Sequence, residues 1–351
     1  VLKAVVIGAG PAGLAASQQL NRANLQHRVF EQGAAVGHSW RQYYDSLVLH
    51  TGKHGSSLPD MPYPKSAPLF PSRKDVIDYL EAYASRFSLP IEFGTVVRGV
   101  ARNGRGFRIE TSRGAVEAKT VIVATGMFSN PYAPEFPNAA IFRGSILHSA
   151  EYRRAAPFVS GRTLIVGAGN SGADIAAELA EAGGDVAISI RGGVVTQPLE
   201  LLGIPLQYWG ILLHHLPSPV ASGVVELFRQ ARRRTSRSTE LPVRYDPLPP
   251  GRVPVIGDRL IRALKTGRAR IVPGVRQFER NGVSFADGRA EEFASVILAT
   301  GYRPAVAFLG NLPQDSPGLF FIGHNNSLAG TLWHVRHEAQ RMPAALRRFL
   351  D

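Results

Sequence analysis

Residues Lys3 to Gln32 read "KAVVIGAGPAGLAASQQLNRANLQHRVFEQ", and the reading of this stretch decides the fold. An apolar run of strand length leads into Gly8-x-Gly10-x-x-Gly13, a helical pattern follows, and a second short run ends in Glu31 and Gln32. This order predicts a βαβ unit. Its glycines permit a tight turn and close approach of backbone to a pyrophosphate, and the helix N-terminus offers unpaired N–H groups. Gly8, Gly10, Pro11, Ala12 and Gly13 are therefore candidate dinucleotide contacts. Glu31 stands eighteen residues after Gly13, where a carboxylate binds the two ribose hydroxyls. An isolated glycine turn would be weak support; with strand, helix and acid all in place the fingerprint is complete.

The device recurs from Arg162 to Gly193 as "RTLIVGAGNSGADIAAELAEAGGDVAISIRGG", with Gly167, Gly169, Asn170, Ser171 and Gly172 in the loop. Here the second strand ends in Arg191. A carboxylate at that place repels a 2′-phosphate whereas arginine pairs with one, so the second site is expected to prefer NADP(H) over NAD(H). The alternative is that Arg191 is a solvated strand-end cation. Two further runs end alike, "TVIVATG" (Thr120 to Gly126) and "SVILATG" (Ser295 to Gly301). Each sets an Ala-Thr-Gly turn at the carboxyl edge of a sheet, which makes Thr125, Gly126, Thr300 and Gly301 ligand-side residues. The expected fold is α/β, with two Rossmann-like dinucleotide-binding domains, one inserted in the other. The first comprises 1–150 and 303–351, the second 151–302.

Composition narrows the chemistry. Among 351 residues there is no cysteine, which removes disulfides, thiolate metal sites and cysteine nucleophiles. A formal charge of +13 favours anionic ligands. The chain opens directly in the strand "LKAVVIG", with nothing resembling a signal peptide, and the apolar stretch "LELLGIPLQYWGILLHHL" falls short of a spanning helix. A cytoplasmic location without stable membrane insertion is the expectation. Arg229 to Arg237, "RQARRRTSR", has no interleaved aromatics, so a solvated helix end is preferred over a membrane-surface or nucleic-acid contact. His214 and His215 are adjacent and share no helix face, so no metal site is expected.

Between the two glycine loops lies "FRGSILHSAEY", in which Phe142, Gly144, His148 and Tyr152 give F-x-G-x-x-x-H-x-x-x-Y. On this motif, "GAGNSG" and the order of the remaining segments, the chain resembles the flavin-containing monooxygenases, in the plant and bacterial branch that includes the indole-pyruvate enzymes. The resemblance implies FAD in the first site and NADPH in the second. It further implies that the reduced flavin would take up oxygen as a C4a-(hydro)peroxide and deliver one oxygen atom to a small substrate, without an acid, base or nucleophile triad. It implies that Trp40, Arg41 and His50 of "GHSWRQYYDSLVLHT" cradle the flavin and that Val97 of "FGTVV" meets the adenine.

His50 replaces an asparagine of the animal enzymes and is the candidate beside the reacting ring; the alternative is a packing residue. Gly323, Gly330 and Thr331 are expected at a helix N-terminus aimed at the flavin pyrimidine, with His324, Asn325 and Trp333 toward the substrate. For His148 and Tyr152 the expectation is a hinge role, fastening the connection between the domains; the alternative is a buried histidine satisfied by backbone groups, with no catalytic part. The expected partners are a small-molecule substrate and O2, and a homodimer is left open. The competing readings are a two-dinucleotide reductase serving a ferredoxin-like protein or quinone, and a non-catalytic flavin sensor.

Overall fold

The computed structural model of the chain describes residues 1–192, 194–217, 219–220, 222–224, 226, 243–244 and 254–350. The run Arg229 to Arg237 lies outside them.

The N-terminal part contributes strand β1 (Leu2–Ile7), helix α1 (Pro11–Arg22), β2 (His27–Phe30), helix α2 (Arg73–Arg86), and strands β3 (Ile91–Glu92), β4 (Val97–Asn103), β5 (Gly106–Thr111) and β6 (Gly114–Val123). There follow β7 (Ser145–His148), β8 (Thr163–Val166), helix α3 (Asn170–Glu181), β9 (Val186–Ser189), β10 (Val194–Gln197) and β11 (Val255–Ile256). Next come helix α4 (Arg259–Lys265), β12 (Ala269–Val272), β13 (Val275–Glu279), β14 (Gly282–Phe285), β15 (Ala290–Glu292) and β16 (Ser295–Leu298). The chain closes with β17 (Leu319–Phe321) and helix α5 (Thr331–Arg347).

Two compact units result, Val1–Asn130 with Tyr302–Asp351, and Pro131–Gly301. In the first, a 7-stranded sheet runs β3-β2-β1-β6-β5-β4, with β17 also paired to β6. Side chains alternate across β1: Ala4 and Val6 enter the core that contains Leu14, Leu20, Val335 and Ala339 of α1 and α5. Val5 and Ile7 enter the core under Phe107, Ile109 and Leu309. Burial on both faces explains why this strand reads as one apolar run. In the second unit a parallel 5-stranded sheet runs β12-β9-β8-β16-β7, and β13, β14 and β15 form a separate antiparallel sheet.

The boundary differs from the sequence expectation at 150/151, because residues 131–150 belong to the second unit. Ser145–His148 pairs in parallel with Ser295–Leu298, so the F-x-G-x-x-x-H-x-x-x-Y segment is the edge of a sheet rather than a free connection. The apolar stretch 199–216 forms a two-strand hairpin and the helix Leu206–His214. No helix among the described residues is long and apolar enough to cross a membrane.

Candidate functional site

The two glycine loops have the same construction. Gly8 has φ +106°, and a side-chain carbon there would lie 2.7 Å from the Ala124 carbonyl oxygen. A carbon on Gly13 would lie 1.8 Å from the Gly8 oxygen, whereas one on Gly10 would meet nothing within 4 Å. In the second unit Gly167 has φ +105°, its added carbon would lie 2.6 Å from Ala299 O, and that of Gly172 2.1 Å from Gly167 O. Gly169, like Gly10, faces open space. The outer glycines are thus demanded by the chain itself, and the middle one leaves room where a phosphate would approach the helix N-terminus.

The remaining parts of the first site fit a ribose and a flavin-bearing dinucleotide. Glu31 is buried, and its two oxygens accept the Ala9 and Gly33 N–H groups at 2.7 Å each. A carboxylate oxygen carries two acceptor positions, so each keeps one for a ribose hydroxyl. Gln32 is exposed beside it. The "FGTVV" segment is tied to this acid, with Gly94 N donating to Gly33 O at 3.0 Å and Thr95 N to Glu31 O at 2.8 Å; Val97 then opens β4 opposite Thr111. Thr125 has a buried hydroxyl that finds no partner among the described residues, beside Gly126 with φ +75°. A spare buried donor at the carboxyl edge of β6 is what a bound ligand would satisfy.

The loop before α5 presses on the same region. A side-chain carbon on Gly323 would lie 2.9 Å from Ala12 Cβ, and the Gly323 N–H donates to Glu338 at 2.9 Å. Gly330 has φ +86°, and the Thr331 hydroxyl donates to Asn326 at 3.1 Å. Trp40 packs edge-on against Tyr43 at 5.6 Å, and Arg41 pairs with Glu81 and donates to Val36 O at 3.2 Å. His50 is half-buried after Leu49, whose N–H donates to Pro71 O at 2.8 Å. Of the residues expected toward the substrate, Asn325 gives its amide to Glu338, and Trp333 is buried against His337 at 4.1 Å. His324 retains a buried Nε2 with no partner among the described residues, and burial pulls its pKa down.

The motif that opens the second unit is fastened throughout. Phe142 packs edge-on against Phe278 at 5.4 Å, and Gly144 lacks room for a side chain because the Ala294 oxygen would lie 2.4 Å away. The Ala150 N–H donates to His148 Nδ1 at 3.1 Å, so the proton sits on Nε2, which donates to Gly301 O at 3.0 Å. Burial lowers the His148 pKa and keeps the ring neutral. Tyr152 is fully buried against Phe158, and burial together with the Glu178 carboxylate pushes its pKa up.

At the second loop two of the candidate residues already have partners in the protein. The Asn170 amide is engaged by the Pro254 oxygen at 3.3 Å and the Ile256 N–H at 2.8 Å, so it already serves the protein's own backbone. The Thr300 hydroxyl is bound to Tyr132 O, unlike that of Thr125. Ser171 is the second residue of α3, next to Gly172, and Arg191 is exposed after β9, without an ion pair among the described residues. The signal for the Asn170 contact was absent from the motif, since its partners lie 84 and 86 residues away. No group of three or more His, Cys, Asp or Glu among the described residues could hold a metal.

A family model described as pyridine nucleotide-disulphide oxidoreductase matches residues 5–202. Indole-3-pyruvate monooxygenase YUCCA1 of Oryza sativa subsp. japonica is 33% identical over 317 residues, 86% of this chain and 77% of that protein. The chain belongs to the flavin-containing monooxygenases of that family. An uncharacterized CzcO-like oxidoreductase of Geobacillus kaustophilus (strain HTA426) is 31% identical over 86% of this chain and 81% of its own. Among solved structures, the flavin-containing monooxygenase from Stenotrophomonas maltophilia superposes with a TM-score of 0.79 at 26% identity, covering 100% of this chain and 99% of that one. The disulphide chemistry in the family's name has no thiol to act through in this monooxygenase.

Proposed function

We propose that the chain is an FAD-dependent, NADPH-driven monooxygenase that passes one oxygen atom of O2 to a small organic substrate, with 2-oxo acids as the favoured class. The observation that carries this reading is the pair of equivalent glycine cradles with opposite charges at their second strand ends, Glu31 and Arg191. Gly8 to Gly13, Glu31 and the Thr125 hydroxyl would hold FAD; Gly167 to Gly172 and Arg191 would hold NADP(H). Bound there, FAD supplies a two-electron acceptor for NADPH and the reactivity with O2 that side chains lack.

The chain's own residues bind and orient. Free N–H groups at the amino ends of α1 and α3 face the pyrophosphates, Glu31 accepts the ribose hydroxyls, and Arg191 pairs with a 2′-phosphate. His50 is proposed on the flavin side, and the His148 bond to Gly301 holds the last residue of the second unit in place. The relative acting on indole-3-pyruvate and the charge of +13 support a 2-oxo acid substrate. Such an acid, O2, NADPH and a proton would give the acid shorter by one carbon, CO2, water and NADP⁺.

The test compares NADPH consumed with product and peroxide formed, for 2-oxo acids, sulfides and amines in turn. One shortened acid per NADPH is expected. Peroxide equal to NADPH with every acceptor would overturn the monooxygenase reading in favour of a reductase.

A further inference from the structure

Asn170 is the first residue of α3, the place that Pro11 fills in α1. Its side-chain amide behaves as a piece of β-strand: Oδ1 accepts the Ile256 N–H at 2.8 Å while Nδ2 donates to the Pro254 oxygen at 3.3 Å. The opposite edge of the same short segment is held by β10, where Thr196 pairs with Val255, Gln197 pairs with Ile256, and the Gly257 N–H donates to Gln197 O at 2.8 Å. Residues Pro254 to Gly257 are therefore gripped from both sides beside the first turn of α3. Next to them, Thr196 carries a buried hydroxyl with no partner among the described residues.

The first unit has a counterpart made differently. There a remote segment also abuts the first turn of the phosphate-facing helix, but by contact of Gly323 with Ala12, a position at which Pro11 offers no amide. Both loops thus have a distant stretch of chain beside the helix N-terminus, and only the second has it hydrogen-bonded to the helix's first residue.

We propose that Asn170 is a positioning residue that holds Pro254–Gly257 against the amino end of α3, so that this backbone forms a wall of the NADP(H) pyrophosphate site. The proposal rests on the assignment of NADP(H) to the second glycine loop. Loss of two side-chain-to-backbone bonds leaves the wall held by β10 alone, and nucleotide binding then has to order its freed edge.

Two variants break the grip from opposite ends. Asn170→Ala removes the amide, and Ile256→Pro removes the donor while leaving Asn170 in place; Asn170→Ser, which suits a helix first turn, replaces the alanine variant if that protein loses FAD. NADP⁺ affinity is measured by calorimetry on the FAD-loaded protein, and amide exchange is followed over 254–257 without nucleotide. Each variant is expected to bind NADP⁺ roughly tenfold more weakly, and the double variant no more weakly than either single one. In Asn170→Ala the Ile256 amide should exchange faster by a similar factor, while FAD content and reduction of the flavin by dithionite are unchanged.

Weaker binding in Asn170→Ala with unchanged binding in Ile256→Pro would overturn the proposal and make Asn170 a direct phosphate ligand. Unchanged binding in both would also overturn it. Wild-type protein that takes no NADP⁺ would remove the nucleotide assignment and the wall together, whereas faster exchange without weaker binding would remove only the wall.

Discussion

The first and second glycine loops are near copies in backbone and different in almost everything attached to it. Gly10 has φ −80° and ψ −175°, Gly169 φ −79° and ψ −178°. The Gly8 N–H reaches Phe30 O at 2.8 Å, and the Gly167 N–H reaches Ser189 O at 3.1 Å. Yet the second strand ends in Glu31 in one and leads to Arg191 in the other, and the first helical residue is Pro11 in one and Asn170 in the other. The threonine hydroxyl of the Ala-Thr-Gly turn has no partner among the described residues at Thr125 and is bound to the Tyr132 oxygen at Thr300. Even the fifth strand of the shared parallel pattern comes from opposite directions: β17 follows its partner β6 in the chain, whereas β7 precedes its partner β16. Glycine spacing sets the cradle, and the residues around it set what the cradle holds and how it is braced.

The largest expected effects separate folding from binding within each loop. Gly13→Ala and Gly172→Ala would drive a carbon to 1.8 Å and 2.1 Å from a backbone oxygen, a clash that rotamers cannot relieve. Each should cost about 3 kcal/mol in a urea unfolding experiment. Gly10→Ala and Gly169→Ala meet no protein atom within 4 Å, so stability without nucleotide should change by less than about 0.5 kcal/mol. Gly10→Ala should nevertheless lose FAD, read from the flavin absorbance per protein. Gly169→Ala should keep FAD and fail to be reduced by NADPH. Equal phenotypes at the two middle glycines would break the assignment of one cofactor to each loop.

A smaller effect tests the charge difference. Arg191→Ala should lower kcat/KM for NADPH by roughly 10- to 100-fold, the worth of a charge-assisted bond to phosphate, and leave that for NADH within about twofold. Parallel losses with both nucleotides would make Arg191 a support of the loop rather than a reader of the 2′-phosphate.

The parts of this architecture that were legible in the sequence are those governed by near neighbours. Strand, glycine turn and helix fall within one stretch of thirty residues from Lys3 to Gln32, and burial of both faces of β1 leaves its mark in adjacent apolar letters. The edge strand Ser145–His148 was missed because it is four residues long and its bond from Ser145 to Ser295 spans 150 residues. The Asn170 grip was hidden for the same reason. In the motif itself the asparagine looks like a loop residue facing a phosphate, and only the return of the chain at Pro254 shows what it holds. Thr125 and Thr300 occupy identical letters in "ATG", and their difference depends on whether a carbonyl such as that of Tyr132 arrives from elsewhere.

The smallest expected effect is a difference in acid sensitivity between the two Ala-Thr-Gly turns. The Gly126 oxygen accepts the Ser129 hydroxyl at 3.1 Å, a bond without a titrating partner, whereas the Gly301 oxygen accepts His148 Nε2 at 3.0 Å. Burial lowers the His148 pKa, with the Gly301 bond and Glu151 pulling the other way. A histidine whose folded pKa lies below its unfolded value of about 6.5 releases a proton on folding, so its contribution to stability is complete above that value and is lost as pH falls toward the folded pKa. His27 and His324 are shifted in the same direction by burial and share the overall slope, which is why the contrast needs a variant rather than a wild-type titration. His148→Gln keeps an N–H donor toward Gly301 and cannot titrate. Urea midpoints at pH 7.5 should show a cost of about 1 kcal/mol, for the bond from Ala150 to Nδ1 that glutamine does not restore. Between pH 7.5 and 5.5 the variant should lose less stability than the wild type, by up to the slope of one proton. If the two curves run parallel, His148 takes up no proton on unfolding in this range, and the second turn is held by a latch as insensitive to acid as the first.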